Sequence, residues 1–253
     1  MNYKRLLPLF VPVLLWLLSQ AFLWAPYFFY ASLALGALLI VLSLKHLVSR
    51  SQAFWLPFAI PPVLFFLSFS AYTAIIARNF WIQILDIALL GFMFWYLRDI
   101  YYYFYGREND RWAKRLDNLL LSGGFLTAFT ASAFLFDLSV FINWPFYFLL
   151  PSLAALSACL FWQFRLLPRP ERSAGTAWWP ALSVLALVEL AGAFILLPLN
   201  FNILALFFAI FYYLGLIIIR LAESGGLGRR AVKLPLILGV VIILALLLTS
   251  RWL

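Results

Sequence analysis

Nine apolar runs divide the chain, at residues 6–24, 27–44, 54–77, 80–97, 119–141, 146–167, 178–197, 201–221 and 234–250. Each is close to the roughly 20 residues that an α-helix needs to cross a bilayer, the last being just long enough. The pattern predicts an all-α fold: a polytopic integral membrane helix bundle of about nine transmembrane helices, arranged as successive hairpins in a single membrane domain over residues 1–253, with no sheet and no soluble domain. Tight turns are expected at Ala25-Pro26, Arg78-Asn79, Asn143-Trp144 and Pro198 to Asn200, while the opposite ends are joined by longer charged loops. If the last run does not span, the bundle becomes eight helices with both ends on one side.

Prolines punctuate several runs. The first follows Met1 to Arg5 as a signal peptide would, but the stretch Gln20 to Ala25 is bulky where a cleavage site needs small residues, so it reads as a retained helix, kinked at Pro12. Pro57, Pro61 and Pro62 crowd the start of the third run. Prolines near a helix start are the simpler reading there, against a bent or unwound segment whose freed carbonyls need partners.

Residues 98–118 are the longest charged stretch. Tyr101, Tyr102, Tyr103 and Tyr105 form an aromatic belt of the kind found at headgroup level, and Gly106 is the natural break. Beyond it, Asn109 or Asp110 is placed to cap a short helix with Trp112, Ala113 and Leu116 on one side and Arg111, Lys114 and Arg115 towards the other. The segment reads as an interfacial elbow feeding the fifth helix, formed as an interfacial helix or a helix extension. Arg111, Lys114 and Arg115 are its candidate contacts for anionic lipid headgroups, with a merely solvated elbow the plainer reading.

Composition fits only a membrane solvent: 66% of the 253 residues are hydrophobic, 20% aromatic and 11% charged. The net charge of +9 is therefore read by side of membrane and not as a nucleic-acid footprint. Of the 18 Lys and Arg, all but Arg78 and Arg251 fall at the N-terminus or on the long-loop side. The positive-inside rule then makes the N-terminus and long loops cytoplasmic and the C-terminus external, in the plasma (inner) membrane if the source is bacterial. The expected partners are the bilayer and anionic headgroups on the cytoplasmic side, with no nucleic acid; nothing in the pattern fixes an oligomeric state.

Against this background the intramembrane polar residues need a reason, because a carboxylate inside a bilayer costs at least roughly 2.5 kcal/mol. Asn79, Gln83 and Asp86 stand at i, i+4 and i+7 on the fourth helix and form one polar stripe. Asp137 ends a seam of Gly123, Thr127, Thr130 and Phe134 on the fifth, where close packing accounts for the small residues and interfacial water for the acid. Glu189 lies among Ser183, Ala186, Gly192 and Ala193, a face expected to meet another helix. At 1.5 Å per residue, Asp137, Asp86 and Glu189 lie about 6, 9 and 12 Å from the outer helix ends. Arg78, Asn143, Asn200 and Asn202 share that layer. The candidate substrate or proton site is thus Asp86, Glu189, Arg78, Gln83, Asn79 and Asp137, with Arg78 as counter-ion; a set of ion pairs fixing helix register weighs equally.

Other chemistry is thin. One cysteine excludes an internal disulfide, and a single histidine, His46, excludes a clustered histidine metal site. Cys159, on the same face of the sixth helix as Ser152 and Gln163, is expected to pack. The stretch Ser224-Gly225-Gly226-Leu227-Gly228-Arg229-Arg230 has the glycines and charge of a phosphate cradle but follows a membrane helix, so a flexible helix-end loop is the stronger reading. No nucleotide, metalloprotease or serine-hydrolase signature is present, and neither a metal nor a cofactor is expected. The leading function is transport of a small solute or lipid through a polar site in the outer half of the bundle. The alternatives are a membrane-embedded enzyme acting on a lipid-linked substrate and a non-catalytic assembly or scaffold subunit.

Overall fold

The computed structural model describes residues 3–48, 55–76, 79–106, 109–142, 144–166, 178–197, 199–223 and 229–249. Among these the secondary structure is helical, with no strand. Nine α-helices follow in order: α1 (Leu7–Trp24), α2 (Phe29–Leu47), α3 (Leu56–Ile75), α4 (Asn79–Tyr105), α5 (Asn109–Phe141), α6 (Phe146–Leu166), α7 (Trp179–Ile195), α8 (Phe201–Glu223) and α9 (Arg229–Thr249). Helices α1, α3, α4, α5 and α8, and α2 together with the turn before it, are long and apolar enough to cross a membrane. The apolar stretches described in α6, α7 and α9 are shorter, at 147–163, 179–195 and 235–245.

The turns follow from local chemistry. Ala25 leaves the helix in an extended conformation and a 3-10 turn at Pro26–Phe28 starts the return, so α1 and α2 form the expected tight hairpin. At the start of α8 the Asn200 side chain accepts the Asn202 N–H at 2.9 Å. Asn200 is therefore an N-cap, the role that relieves an orphaned donor in a first helical turn.

The charged stretch takes the form of helix extensions, one of the two forms expected of it. Helix α4 continues through the tyrosine belt to Tyr105, and α5 is helical from Asn109, so the charged stretch is shared between two helix extensions that meet at Gly106. The Gly106 N–H still gives α4 its last helical bond, to the Tyr102 carbonyl at 2.7 Å, and glycine is needed at this position because a Cβ would run into that same carbonyl. Tyr102 then stacks on Trp112 across the break, with ring centroids 4.6 Å apart.

The described residues fall into two compact units, Met1–Thr127 and Ala128–Leu253. In the first, α1 packs on α2 and α4, and α3 packs on α2 and α4. Its centre is an aromatic column in which Phe65 stacks on Phe92 at 3.9 Å and meets Phe69 in a tilted pair at 4.3 Å, while Phe92 stacks on Tyr96 at 5.9 Å. Glycine permits the closest helix approaches: the Phe66 ring fills the space over Gly36, and the Phe92 ring that over Gly123.

Helix α3 stays helical through Pro61 and Pro62. Pro62 has no N–H to give the carbonyl of Phe58, four residues before it. The buried Tyr96 hydroxyl donates to that carbonyl instead, at 2.8 Å. Apolar surroundings thus hold a proline inside the helix without leaving an orphaned acceptor.

In the second unit α8 is the hub, with Leu204, Phe207, Phe208, Tyr212, Leu216 and Ile219 all buried. Phe194 of α7 packs on Phe207 and Phe211, and Phe161 of α6 on Tyr212. Helix α9 lies against α8 with Gly239 under the Leu214 side chain.

Across both units the outward faces carry large apolar side chains. Leu9, Phe10 and Leu17 of α1 and Leu236, Leu238, Val240 and Leu244 of α9 are all exposed. Continuous apolar faces of this kind are stable against lipid and not against water.

Candidate functional site

Helix α4 buries Ile82, Asp86, Leu89, Met93, Tyr96, Leu97 and Ile100. Those spacings trace one helical face, and Asp86 lies in the middle of it, 3% exposed. The face packs on α1, whose Gln20 side-chain amide donates to the Asp86 carboxylate at 2.6 Å. The Ser19 hydroxyl stands beside the same carboxylate and also donates to the Trp16 carbonyl at 2.8 Å. A short hydrogen bond of this kind is strengthened by its apolar setting.

Gln20 is also the polar lining of a groove of about 310 Å³ on the α1 surface, otherwise formed by Trp16, Leu17, Ala21 and Trp24. Trp24 at its rim is 90% exposed. The site is therefore an apolar surface groove with an amide in its lining and a buried carboxylate behind that amide. Gln20 lies four residues from the end of α1 and Asp86 seven from the start of α4, so both stand within about 6 to 11 Å of the short-turn ends of their helices.

The other residues of the expected site part company. Gln83 is exposed, 60° around α4 from Asp86 and at the edge of the buried face. Arg78 and Asn143 lie outside the described residues, as does the side chain of Asn79. Glu189 is exposed: α7 buries Leu187, Ala191 and Phe194, and Glu189 projects from the opposite side. Of the small residues around it, Ala186 and Ala193 are exposed with it, while Ser183 lies against Gly215 of α8 and Gly192 against Leu150 of α6. Asp86 belongs to the first unit and Glu189 to the second.

Asp137 presents its two oxygens differently, with Oδ1 the buried one. It is 5% exposed, and its Oδ1 has no hydrogen-bond partner among the described residues. The seam leading to it is otherwise as expected, with Gly123, Thr127 and Thr130 buried and the Thr127 hydroxyl donating to the Gly123 carbonyl at 2.7 Å. Cys159 is exposed instead of packed, because α6 buries the face of Leu149, Leu153, Ser157 and Leu160. Most of the glycine-rich stretch after α8, residues 224–228, lies outside the described residues. Among the described residues no group of three or more His, Cys, Asp or Glu could hold a metal ion.

At the far end of α4, Asp99 is 2% exposed and shared by two guanidinium groups. Arg98 reaches its Oδ1 at 3.2 Å and Arg115 its Oδ2 at 3.7 Å. Both also address the Trp95 ring, at 3.8 and 5.9 Å from its centroid, and Arg115 stands 4.9 Å from that of Trp112. Lys4 meanwhile donates to the Tyr105 hydroxyl at 2.6 Å, which donates to the Leu47 carbonyl at 3.1 Å and so closes the end of α2.

Sequence reasoning missed Gln20, Tyr96 and Asp99. A signal existed for Gln20: Ser19-Gln20 is the only polar pair inside the first apolar run, at nearly the depth of Asp86. For Tyr96 the signal was Pro62, which requires a donor from elsewhere. Nothing in the local pattern distinguished Asp99 from a solvated charge at a helix end.

Fold and surface together define a polytopic α-helical integral membrane protein. Comparison with protein-family models, curated proteins and solved structures finds no match to the chain.

Proposed function

We propose that the protein moves a lipid, or a small solute with an apolar body and a polar head, across the bilayer by way of the Gln20–Asp86 site. The observation that carries this reading is the buried Asp86 carboxylate held by Gln20 at 2.6 Å, with Gln20 itself lining the groove on α1. A lipid suits the groove better than a fully hydrated solute, because the other lining residues are apolar and the groove opens on a lipid-type surface. With one amide N–H given to Asp86, which fixes its orientation, Gln20 keeps its other N–H and its carbonyl oxygen for a headgroup. In the proposed orientation the N-terminus and long charged loops are cytoplasmic, so the groove faces the external leaflet.

The test is reconstitution into vesicles of phosphatidylethanolamine and phosphatidylglycerol carrying NBD-labelled phosphatidylethanolamine, with dithionite as the reporter of the outer leaflet. The protein is expected to expose inner-leaflet label faster than protein-free vesicles do. Asp86→Asn and Gln20→Ala are each expected to slow this about tenfold, the effect of losing one hydrogen bond to a charged group. Equal rates for wild type and both variants, with all three folded, would remove Gln20 and Asp86 from the function.

A second reading, as a non-catalytic assembly subunit, has one observation in its favour. Glu189 is an exposed carboxylate on the apolar helix α7, and a polar or basic helix from a partner would relieve its cost in hydrocarbon. Light scattering on the detergent-solubilised protein tests it. Wild type is expected to be oligomeric and Glu189→Leu smaller, whereas identical monomers would rule this reading out.

A further inference from the structure

We infer that the junction of α4 and α5 is a binding site for one anionic phospholipid, with its phosphate at Arg111, Lys114 and Arg115 and its apolar portion along α5. Arg111, Lys114, Arg115, Asn118 and Ser122 follow one another at i, i+3, i+4, i+7 and i+11, which is one face of a helix. All are exposed except Arg115, which is half-buried. This single face thus passes from cations to hydroxyl and amide groups in the direction in which α5 enters its apolar run, the polarity order of a phospholipid standing in a leaflet.

The cationic end is built and not merely charged. Arg115 has its Nε 3.7 Å from the buried Asp99 and its guanidinium against Trp112 and Trp95, which hold the side chain while leaving it 41% exposed. Arg98 shares the same carboxylate from the other oxygen. Two guanidiniums on one carboxylate leave an excess of positive charge at the site, and exposed Lys114 on the same face adds to it. Holding the arginine beforehand lowers the ordering cost of binding. A fixed guanidinium fork also suits the oxygens of a phosphate. Trp95, Tyr102 and Trp112 supply the interfacial rings that keep this end at headgroup depth.

A phospholipid fits the whole face, whereas a free anion would use only its upper end. The experiment is native mass spectrometry of the purified full-length protein titrated with phosphatidylglycerol, with phosphatidylcholine and inorganic phosphate as separate arms. One phosphatidylglycerol is expected to bind at least tenfold more tightly than phosphatidylcholine. Arg111→Gln with Lys114→Gln, which leaves the Asp99 pairing in place, is expected to weaken it by about thirtyfold, the loss expected for two basic side chains at an anionic surface. Arg115→Gln with Asp99→Asn removes one cation and one anion together and is expected to lower affinity as well, because the held guanidinium is lost. Equal binding of the two lipids, or an unchanged preference in the folded double-glutamine variant, would overturn the site. Displacement of phosphatidylglycerol by millimolar phosphate would overturn the choice of a lipid over a free anion.

Discussion

Tyr96 donates its hydroxyl to the Phe58 carbonyl at 2.8 Å, and this is the carbonyl that Pro62 leaves without a helical donor. Both residues are buried, so neither water nor lipid offers a substitute. Tyr96→Phe removes the donor and leaves an unsatisfied acceptor, which costs about 1–3 kcal/mol. The proline makes the test specific, because Pro62→Ala restores an N–H to the helix. Thermal unfolding in detergent is expected to show Tyr96→Phe destabilised, and a smaller effect of the same change in a Pro62→Ala background. Equal costs in the two backgrounds would show that the hydroxyl does not serve this carbonyl.

The Gln20–Asp86 pair has a stability signature separate from its proposed use. Gln20→Leu leaves the buried carboxylate without its amide donor and is expected to cost about 1–3 kcal/mol. Gln20→Leu with Asp86→Leu replaces the pair with apolar groups and is expected to recover most of that loss, since burying a polar pair is itself expensive. The recovered double variant should still fail in the lipid assay. Full transport activity in a stable double-leucine protein would reduce the pair to a structural contact.

Gly123 tests the packing of α4 on α5. A methyl group there meets the Phe92 ring, which is held between Phe65 at 3.9 Å and Tyr96 at 5.9 Å and has little room to turn. Gly123→Ala is expected to destabilise by about 1–3 kcal/mol, the range for overpacking a filled site. By contrast, a Cβ on Gly91 meets nothing within 4 Å, so Gly91→Ala serves as the matched control and is expected to be tolerated. A melting temperature for Gly123→Ala equal to that of the control would show that Phe92 yields easily.

Orientation is checked by reporter fusions. A reporter after Arg172 is expected to read cytoplasmic and one at Asn143 external, following the distribution of Lys and Arg between the two sides. The reverse pattern would invert the topology and place the Gln20–Asp86 groove in the cytoplasmic leaflet.

The helices were legible in the chain alone: apolar runs set their number and most of their ends, although α4 runs on to Tyr105 and α5 begins at Asn109, Gly106 marked the break in the charged stretch, and the amphipathic split around Leu116 placed Arg111 and Lys114 outward. Which face of each membrane helix turns inward was decided only by tertiary structure. Asp86 and Glu189 looked alike in sequence, each an acid with helically spaced neighbours, yet Asp86 is buried against Gln20 and Glu189 points outward. Cys159 differed for the same reason, exposed where packing was expected. In water, apolar periodicity reveals the inward face because the outward face must be polar. In a bilayer both neighbours of a helix are apolar, so the pattern along the chain no longer separates lipid from protein, and the choice falls to shape and to the few polar pairs that three-dimensional packing brings together.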